Sequence, residues 1–316
     1  MRAYVVKRLL LLVPTLLGIS MVSFAIIHLI PGDLVTVLLG ITASQNEQNR
    51  EAIIQALHLD RPLAVQYLHW LGAVLRGNLG RSLVHGAPVA QEIARAYPVT
   101  VQLTVMSMVT ATLLGIPLGV FSVTGRGRGL EAVIRVGSLL FISAPAFFLG
   151  TVLIVLGARY APGITTLGYV SFFAAPWRSI GQMLPAALAL GAAISAILLR
   201  YTRASMLEVL SADYVRTARA KGLAERRVAL RHALANALIP VIAASGIQFV
   251  ALIGGAVIVE EVFALPGIGR LVVNAIYQRD YTVIQGAILF LTANAVLINL
   301  VIDLLYRYVD PRISYG

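Results

Sequence analysis

Long apolar runs separated by short polar segments dominate the sequence. A helix needs about 20 mostly apolar residues to cross the hydrocarbon core of a bilayer. Six runs predict membrane-spanning helices: Leu9–Ile30, Val99–Val123, Ala132–Gly157, Met183–Leu199, Ile239–Val259 and Val283–Tyr306. The predicted fold class is therefore an all-α membrane protein with six transmembrane helices.

The polar segments between these runs divide the chain into four predicted regions. They are 1–30 with the first helix, an insertion over 31–98, a transmembrane domain over 99–308 that contains helices two to six and a loop at 200–238, and a tail at 309–316. Within the insertion, Glu47–Leu57 and Leu63–Leu75 are candidates for short amphipathic helices.

Positive charge is concentrated on one side of the predicted topology. The segments on the same side as both termini carry +3, +2, +5 and 0, which total +10, whereas the segments on the opposite side total +1. Because cytoplasmic loops are enriched in Lys and Arg, this asymmetry predicts that both termini are cytoplasmic and that the 31–98 insertion is extracytoplasmic.

Composition supports a membrane protein and argues against a soluble domain or a nucleic-acid-binding protein. Of the 316 residues, 59% are hydrophobic and 12% are charged, against roughly 25% charged residues in soluble domains. A net charge of +11 is compatible with nucleic acid binding, but its segregation along the chain is explained by topology, so no nucleic acid partner is expected. The chain has no cysteine, and therefore no thiolate metal site or cysteine nucleophile.

The sequence lacks the chemistry of an ATPase or a metalloenzyme. A Walker A motif places lysine directly after glycine, whereas Lys7 follows Val6 and Lys221 follows Ala220. There is also no HExxH motif, so no metal or cofactor is expected in this chain. Transport powered by a partner protein fits these absences, and an intramembrane transferase or protease would need catalytic groups that are not evident.

Polar residues inside the predicted spans are mostly uncharged. The ionisable residues lie near span ends, namely His28, Glu260, Glu261 and Asp303, which disfavours a stand-alone proton-driven carrier. Candidates for lining a transport pathway are Gln102, Ser107, Ser195, Ser245, Gln248 and Asn294. Hydrogen bonds between helices are the alternative role for these residues.

The most charged stretch, Asp213–His232, predicts a short helix in the 200–238 loop. Ser211 is the expected N-cap, Tyr214 to Lys221 form about two turns, and Gly222 is the expected left-handed C′ residue. Spacing places Tyr214, Ala218 and Lys221 on one helical face, which suits insertion into a groove of a partner.

This stretch resembles the cytoplasmic "EAA" loop of ATP-binding-cassette importer permeases. The general pattern has Glu where this chain has Arg216 and Ala where it has Thr217, followed by Ala218 and then Gly222 after three variable residues. The form YVRTARAKGL followed by HALANALIP is similar to the peptide/nickel-type branch of the family. Further similar motifs are GNLGRSL at 77–83, YPVTVQLT at 97–104, APAFFLG at 144–150, VEEVFALPGIGRLVVNAIYQRDY at 259–281 and DPR at 310–312.

The resemblance implies a type I importer permease fold in a bacterial inner membrane. It also implies a second permease subunit, two ATPase subunits that bind ATP and Mg²⁺, an extracytoplasmic substrate-binding protein, and surrounding membrane lipid. Peptides are the leading substrate class in this branch, and nickel chelates and glycosides remain alternatives.

The same resemblance implies site residues at two places. The expected ATPase-coupling residues are Tyr214, Arg216, Thr217, Ala218, Arg219, Lys221, Gly222 and His232, of which His232 either docks or braces the loop. The expected residues at the outer mouth of the pathway are Glu260, Glu261, Pro266, Gly267 and Gly269, for which a purely structural turn is the alternative.

Overall fold

The described structure is almost entirely helical. It is a computed structural model that describes residues 2–28, 54, 60–125, 128–161 and 169–309. The helices, numbered along the chain, are α1 (Arg2–His28), α2 (Leu63–Leu75), α3 (Val89–Thr124), α4 (Arg128–Ser143), α5 (Ala146–Tyr160), α6 (Pro176–Leu210), α7 (Asp213–Ala220), α8 (Glu225–Arg227), a π-helical segment (Val228–Ala233), α9 (Leu234–Val262), α10 (Ile268–Gln278) and α11 (Tyr281–Val309).

The predicted short helices of the insertion can be compared only in part. Helix α2 has the predicted bounds Leu63–Leu75. The predicted helix Glu47–Leu57, apart from Ile54, and residues 310–316 of the predicted tail lie outside the described residues.

Five of the six predicted spans correspond to single continuous helical segments. Helices α1, α3, α6 and α11 and the segment Glu225–Val262 are long and apolar enough to cross a membrane. The third prediction, one helix over Ala132–Gly157, is wrong, because α4 and α5 meet at a bend of 105°. Pro145 explains the break: it has no backbone N–H, and it disfavours helical geometry at Ala144.

Helices α3 and α6 extend furthest beyond the predicted apolar runs, by ten residues or more at one end. Helix α3 begins at Val89, ten residues before the predicted start at Val99, because Val89, Ile93 and Ala96 recur at helical spacing and are buried. The polar residues between them lower the mean hydropathy of residues 89–98, so a search for apolar runs does not detect this part of the helix. Helix α6 continues past Leu199 to Leu210.

The chain divides into two compact units, and the four predicted regions stay a prediction. One unit is 1–98 with 267–300, and the other is 99–266 with 301–316.

Close packing of α3 on α6 organises the core of the 99–266 unit. A Cβ atom on Gly191 would lie 2.6 Å from the Ser107 carbonyl oxygen, and one on Gly115 would lie 2.5 Å from the Ser195 carbonyl oxygen. Only glycine permits this approach, which is the means by which small residues stabilise helix pairs in membranes. Leu103, Met183 and other fully buried apolar side chains fill the adjoining core.

The unit formed by 1–98 and 267–300 has its own apolar core. Val89, Ile93 and Ile268 are buried there together with Ala287 of α11. The loop at 77–88 packs against the start of α11, since a Cβ atom on Gly80 would lie 2.7 Å from the Thr282 methyl carbon.

Candidate functional site

Helix α7 lies in the predicted coupling loop and, over Asp213–Ala220, begins one residue before the predicted Tyr214–Lys221 helix and has the same length. It begins at Asp213, whose negative charge suits the first turn, and its N-cap residue is Ala212. The prediction of Ser211 as N-cap is wrong, because its hydroxyl donates a hydrogen bond to the Glu208 carbonyl oxygen at 2.7 Å. Ser211 therefore belongs to the end of α6.

Gly222 ends α7 in the predicted left-handed conformation, with φ of +76°. The Gly222 N–H donates to the Arg219 carbonyl oxygen at 2.9 Å, and the Leu223 N–H donates to that of Ala218 at 3.4 Å. This pair of bonds is a Schellman motif. A Cβ atom at Gly222 would meet nothing within 4 Å, so the backbone angle, not space within this chain, favours glycine there.

On the inward face of α7, Val215 and Ala218 pack with Val228 of the π-helical segment. We call these three residues the anchor cluster. Val215 and Val228 are fully buried, and Ala218 is 7% exposed. Leu223 packs against this cluster, as the hydrophobic contact of a Schellman motif does. Ala218 therefore faces its own chain, and does not share the exposed face of Tyr214 and Lys221 as expected from spacing.

The outward face of α7 carries most of the other candidate coupling residues. Tyr214, Arg216, Thr217 and Lys221 are all exposed. Tyr214 is 46% exposed, and its hydroxyl accepts a hydrogen bond from Asn236 Nδ2 of α9 at 2.9 Å. Arg216 lies 3.3 Å from Asp213 in an ion pair that is too exposed to contribute much stability.

Arg219 is engaged within the loop. Its Nε lies 2.7 Å from Glu225 Oε1, its Nη2 donates to Glu225 Oε2 at 3.3 Å, and its Nη1 donates to the Leu210 carbonyl oxygen at 3.3 Å. The guanidinium thereby joins the end of α6, the end of α7 and the start of α8. The structure thus gives Arg219 a role in closing its own loop, and its expected role as a cation for a partner stays a prediction.

A π-helical segment, Val228–Ala233, connects α8 to α9. His232 lies half-buried in this segment. Its carbonyl oxygen accepts a bond from Asn236 Nδ2 at 3.2 Å, and the same amide nitrogen donates to Tyr214. Residues at both ends of the predicted coupling motif are therefore connected through Asn236, which the sequence alone did not single out.

The six candidate pathway residues occupy different environments. Ser107 is fully buried at the contact of α3 with α6, and its hydroxyl has no hydrogen-bond partner among the described residues. Ser195 and Ser245 donate to carbonyl oxygens of their own helices at 2.6 and 2.8 Å. Gln248 is half-buried on α9. Their pathway role stays a prediction.

The remaining two candidates hydrogen-bond to aromatic side chains. Gln102 Nε2 donates to Ser179 Oγ at 2.8 Å, and its Oε1 accepts from the Tyr169 hydroxyl at 3.3 Å. Asn294 Nδ2 donates to the Tyr97 hydroxyl at 2.9 Å. These amides are oriented by other helices or loops within their own units.

The predicted outer turn is present between α9 and α10. Helix α9 ends in another Schellman motif, in which Ala264 takes the left-handed conformation with φ of +54°. Glu261 and Pro266 are exposed, whereas Glu260, Gly267 and Gly269 are buried. The function of this turn at a pathway mouth stays a prediction.

Family models match nearly the whole sequence. Residues 115–315 match the model described as "Binding-protein-dependent transport system inner membrane component", and residues 1–104 match the one described as "Binding-prot-dependent transport system membrane comp, N-term". The chain belongs to this transport family. The match confirms the family that the loop motif indicates. We call the chain the permease from here on.

Similar proteins agree with this assignment. The permease is 43% identical over 312 residues to the glutathione transport system permease protein GsiC of Escherichia coli O6:H1, with 99% of each chain covered. Identity to GsiC of Salmonella choleraesuis is 42%, with the same coverage. The inward facing MetNI methionine ABC transporter superposes with a TM-score of 0.58 at 19% identity, covering 69% of this chain and 96% of that chain.

These matches establish the general identity of the chain. It is a multi-pass inner-membrane permease subunit of an ABC importer, with the helical fold of such permeases. ATPase and substrate-binding partners belong to the family in general, and this chain is a transport subunit of that family.

Sequence reasoning missed two buried polar contacts in the permease. The Ser82 hydroxyl donates to Asp280 Oδ2, and Asp280 Oδ1 accepts from the Val283 N–H at 3.3 Å. The Thr100 hydroxyl donates to Glu260 Oε1 at 2.6 Å. Each pair joins two of the motifs that resemble the family.

Proposed function

We propose that this permease imports peptides and takes up the energy of ATP hydrolysis through α7. The observation that carries the proposal is the two-sided construction of this helix. Its exposed side presents Tyr214, Thr217 and Lys221, while buried Val215 and Ala218 hold it on the start of the α8–α9 segment. A short helix mounted in this way transmits a push from a partner to a membrane helix.

The proposed assembly contains a second permease subunit, two ATPase subunits that bind ATP and Mg²⁺, and an extracytoplasmic binding protein. Closure of the ATPase subunits on ATP moves α7 and alternates the access of the pathway. The mechanism requires that ATP binds the two states of the assembly with different free energies, because a ligand shifts an equilibrium only by its differential affinity.

The proposed orientation places both termini and α7 in the cytoplasm and residues 31–98 outside. The +10 against +1 distribution of charge supports this orientation by the positive-inside rule. It also puts α7 on the side of the membrane where ATP is available.

The proposed substrate class is short peptides. The similar GsiC proteins are named for transport of glutathione, which is itself a tripeptide. Nickel chelates and glycosides are the alternatives to be compared with peptides in a binding assay of the partner binding protein. If that protein bound only metal chelates or glycosides, the peptide assignment would be wrong.

A substitution series at Gly222 tests the coupling role. The left-handed φ favours Gly, is tolerated by Asn, and is costly for Ala and more so for a β-branched residue. We expect peptide uptake per ATP hydrolysed to fall in the order Gly, Asn, Ala, Val, with the assembly still co-purifying. The measurement is uptake and ATP hydrolysis in the same proteoliposomes.

The order within the series separates backbone strain from a clash with the ATPase subunit. A clash would reject the larger Asn more than Ala, which reverses the middle of the order. Gly129→Val is the matched control, because Gly129 is exposed, lies in open space and has no positive φ. Normal coupling by Gly222→Val would refute the role of α7, and uptake by the permease alone would refute ATP-driven transport.

A further inference from the structure

A cavity on the 99–266 unit combines arginines with an apolar wall. It has a volume of about 420 Å³, within the general range of ligand pockets, and lies between the end of α3, helix α4 and the second half of α6. We call it the arginine cavity. Its lining includes Arg135, Arg200, Arg203, Ile134, Leu139 and Leu199.

Two of the three arginines are available to bind an anion. Arg203 Nη2 lies 2.6 Å from Glu131 Oε1, and its Nη1 donates to the Ser122 carbonyl oxygen at 3.0 Å, so these groups neutralise one another. Arg135 and Arg200 are exposed, and within the described part of the chain neither has an ion pair or a hydrogen bond from its side chain. The cavity therefore has a net positive charge of two.

The position of the cavity along the helices favours a ligand with an apolar portion. Arg200 directly follows the predicted apolar run Met183–Leu199, which places it where a spanning helix leaves the hydrocarbon. Helix α4 exposes apolar side chains beside the cavity, including Val136 and Leu140. Such a face is compatible with acyl chains, and the two guanidinium groups are suited to a phosphate.

We propose that the arginine cavity binds one anionic phospholipid, with its phosphate at Arg135 and Arg200 and an acyl chain along Leu139 and α4. Basic pockets between membrane helices on the cytoplasmic side recognise anionic head groups by this chemistry. The bound lipid would cover the apolar wall and fix α4 against α6.

Native mass spectrometry of the full-length permease tests the proposal, with phosphatidylglycerol and phosphatidylcholine added to detergent micelles at equal concentration. We expect preferential retention of phosphatidylglycerol. The double variant Arg135→Gln/Arg200→Gln should reduce its apparent affinity by about 25-fold, because each arginine contributes about fivefold near a charged lipid surface. Lysines at both positions should preserve most of the binding.

Arg178→Gln is the matched control, since Arg178 is exposed near the start of α6, the helix that also carries Arg200. It should leave lipid retention unchanged. Equal retention of phosphatidylcholine, or unchanged phosphatidylglycerol binding by the double variant, would overturn the proposal. Displacement of the lipid by millimolar inorganic phosphate would assign the cavity to a free anion instead. Loss of co-purifying partner subunits, without loss of lipid, would assign it to a protein interface.

Discussion

Truncation of Val215 to alanine is the sharpest perturbation of the connection between α7 and the membrane helices. Val215 is 0% exposed and packs in the anchor cluster with Ala218 and Val228. The substitution removes two carbon atoms, at about 0.8 kcal/mol for each buried methylene, and leaves a small cavity. We expect the attachment of α7 to weaken by about 2 kcal/mol.

This loss is large relative to the other contacts that hold α7. The Tyr214–Asn236 hydrogen bond contributes about 1 kcal/mol, and the exposed Arg219–Glu225 pair contributes about 0–1 kcal/mol. A change of about 2 kcal/mol corresponds to roughly a thirtyfold increase in the population of the detached helix. Amide hydrogen exchange of α7, measured on the assembled importer without nucleotide, should accelerate by that factor.

The functional expectation is an increase in ATP hydrolysed per peptide imported, since a detached α7 transmits less motion. Val133→Ala is the control, because it deletes the same atoms from a side chain that is 70% exposed. It should leave the exchange of α7 unchanged. Unchanged exchange in Val215→Ala would refute the anchoring role of the cluster, and equal acceleration throughout α9 would show general unfolding instead of local detachment.

Two further predictions concern buried polar contacts and topology. Thr100→Val removes the hydroxyl that donates to buried Glu260 and should lower the free energy of unfolding in SDS titrations by about 1–3 kcal/mol. Thr104→Val should cost less, because the Thr104 hydroxyl donates only to a carbonyl of its own helix. Equal losses in the two variants would contradict this prediction. The chain has no cysteine, so each introduced cysteine can be labelled alone. Gln278→Cys should react with an impermeant maleimide in intact spheroplasts, and Ser211→Cys should react only after permeabilisation. The reverse pattern would contradict the proposed orientation.

Features that depend on local sequence were predictable in this chain. Five of the apolar runs correspond to continuous helical segments, and Gly222 has the left-handed conformation expected after a short helix. The bend at Pro145 was also accessible in principle, because the restriction that proline places on Ala144 is local. Apolar length alone does not reveal the bend, because the apolar run continues across Pro145.

Features that depend on tertiary packing were not predictable. Spacing places Ala218 beside Tyr214 on a helical wheel, but Ala218 is buried because it packs with Val228 and Leu223. The bond from Ser82 to Asp280 joins residues that are 198 positions apart, a distance over which periodicity carries no information. The first turns of α3 differ from these cases, since Val89, Ile93 and Ala96 recur at helical spacing in the sequence and only the polar residues between them interrupt the apolar run.

Around the π-helical segment Val228–Ala233, the permease is sensitive to the number of residues as well as to their identity. An α-helix rotates about 100° for each residue, and a π-turn accommodates one residue more than an α-turn. Because the π-turn already holds the extra residue, deletion of one residue here would restore a regular α-helix and keep the flanking residues near their present phase. Deletion of one residue in the regular part of α9 would instead rotate the preceding residues by about 100° about the helix axis. The outward face with Tyr214 and Lys221 would then point in another direction, although no side chain had been altered.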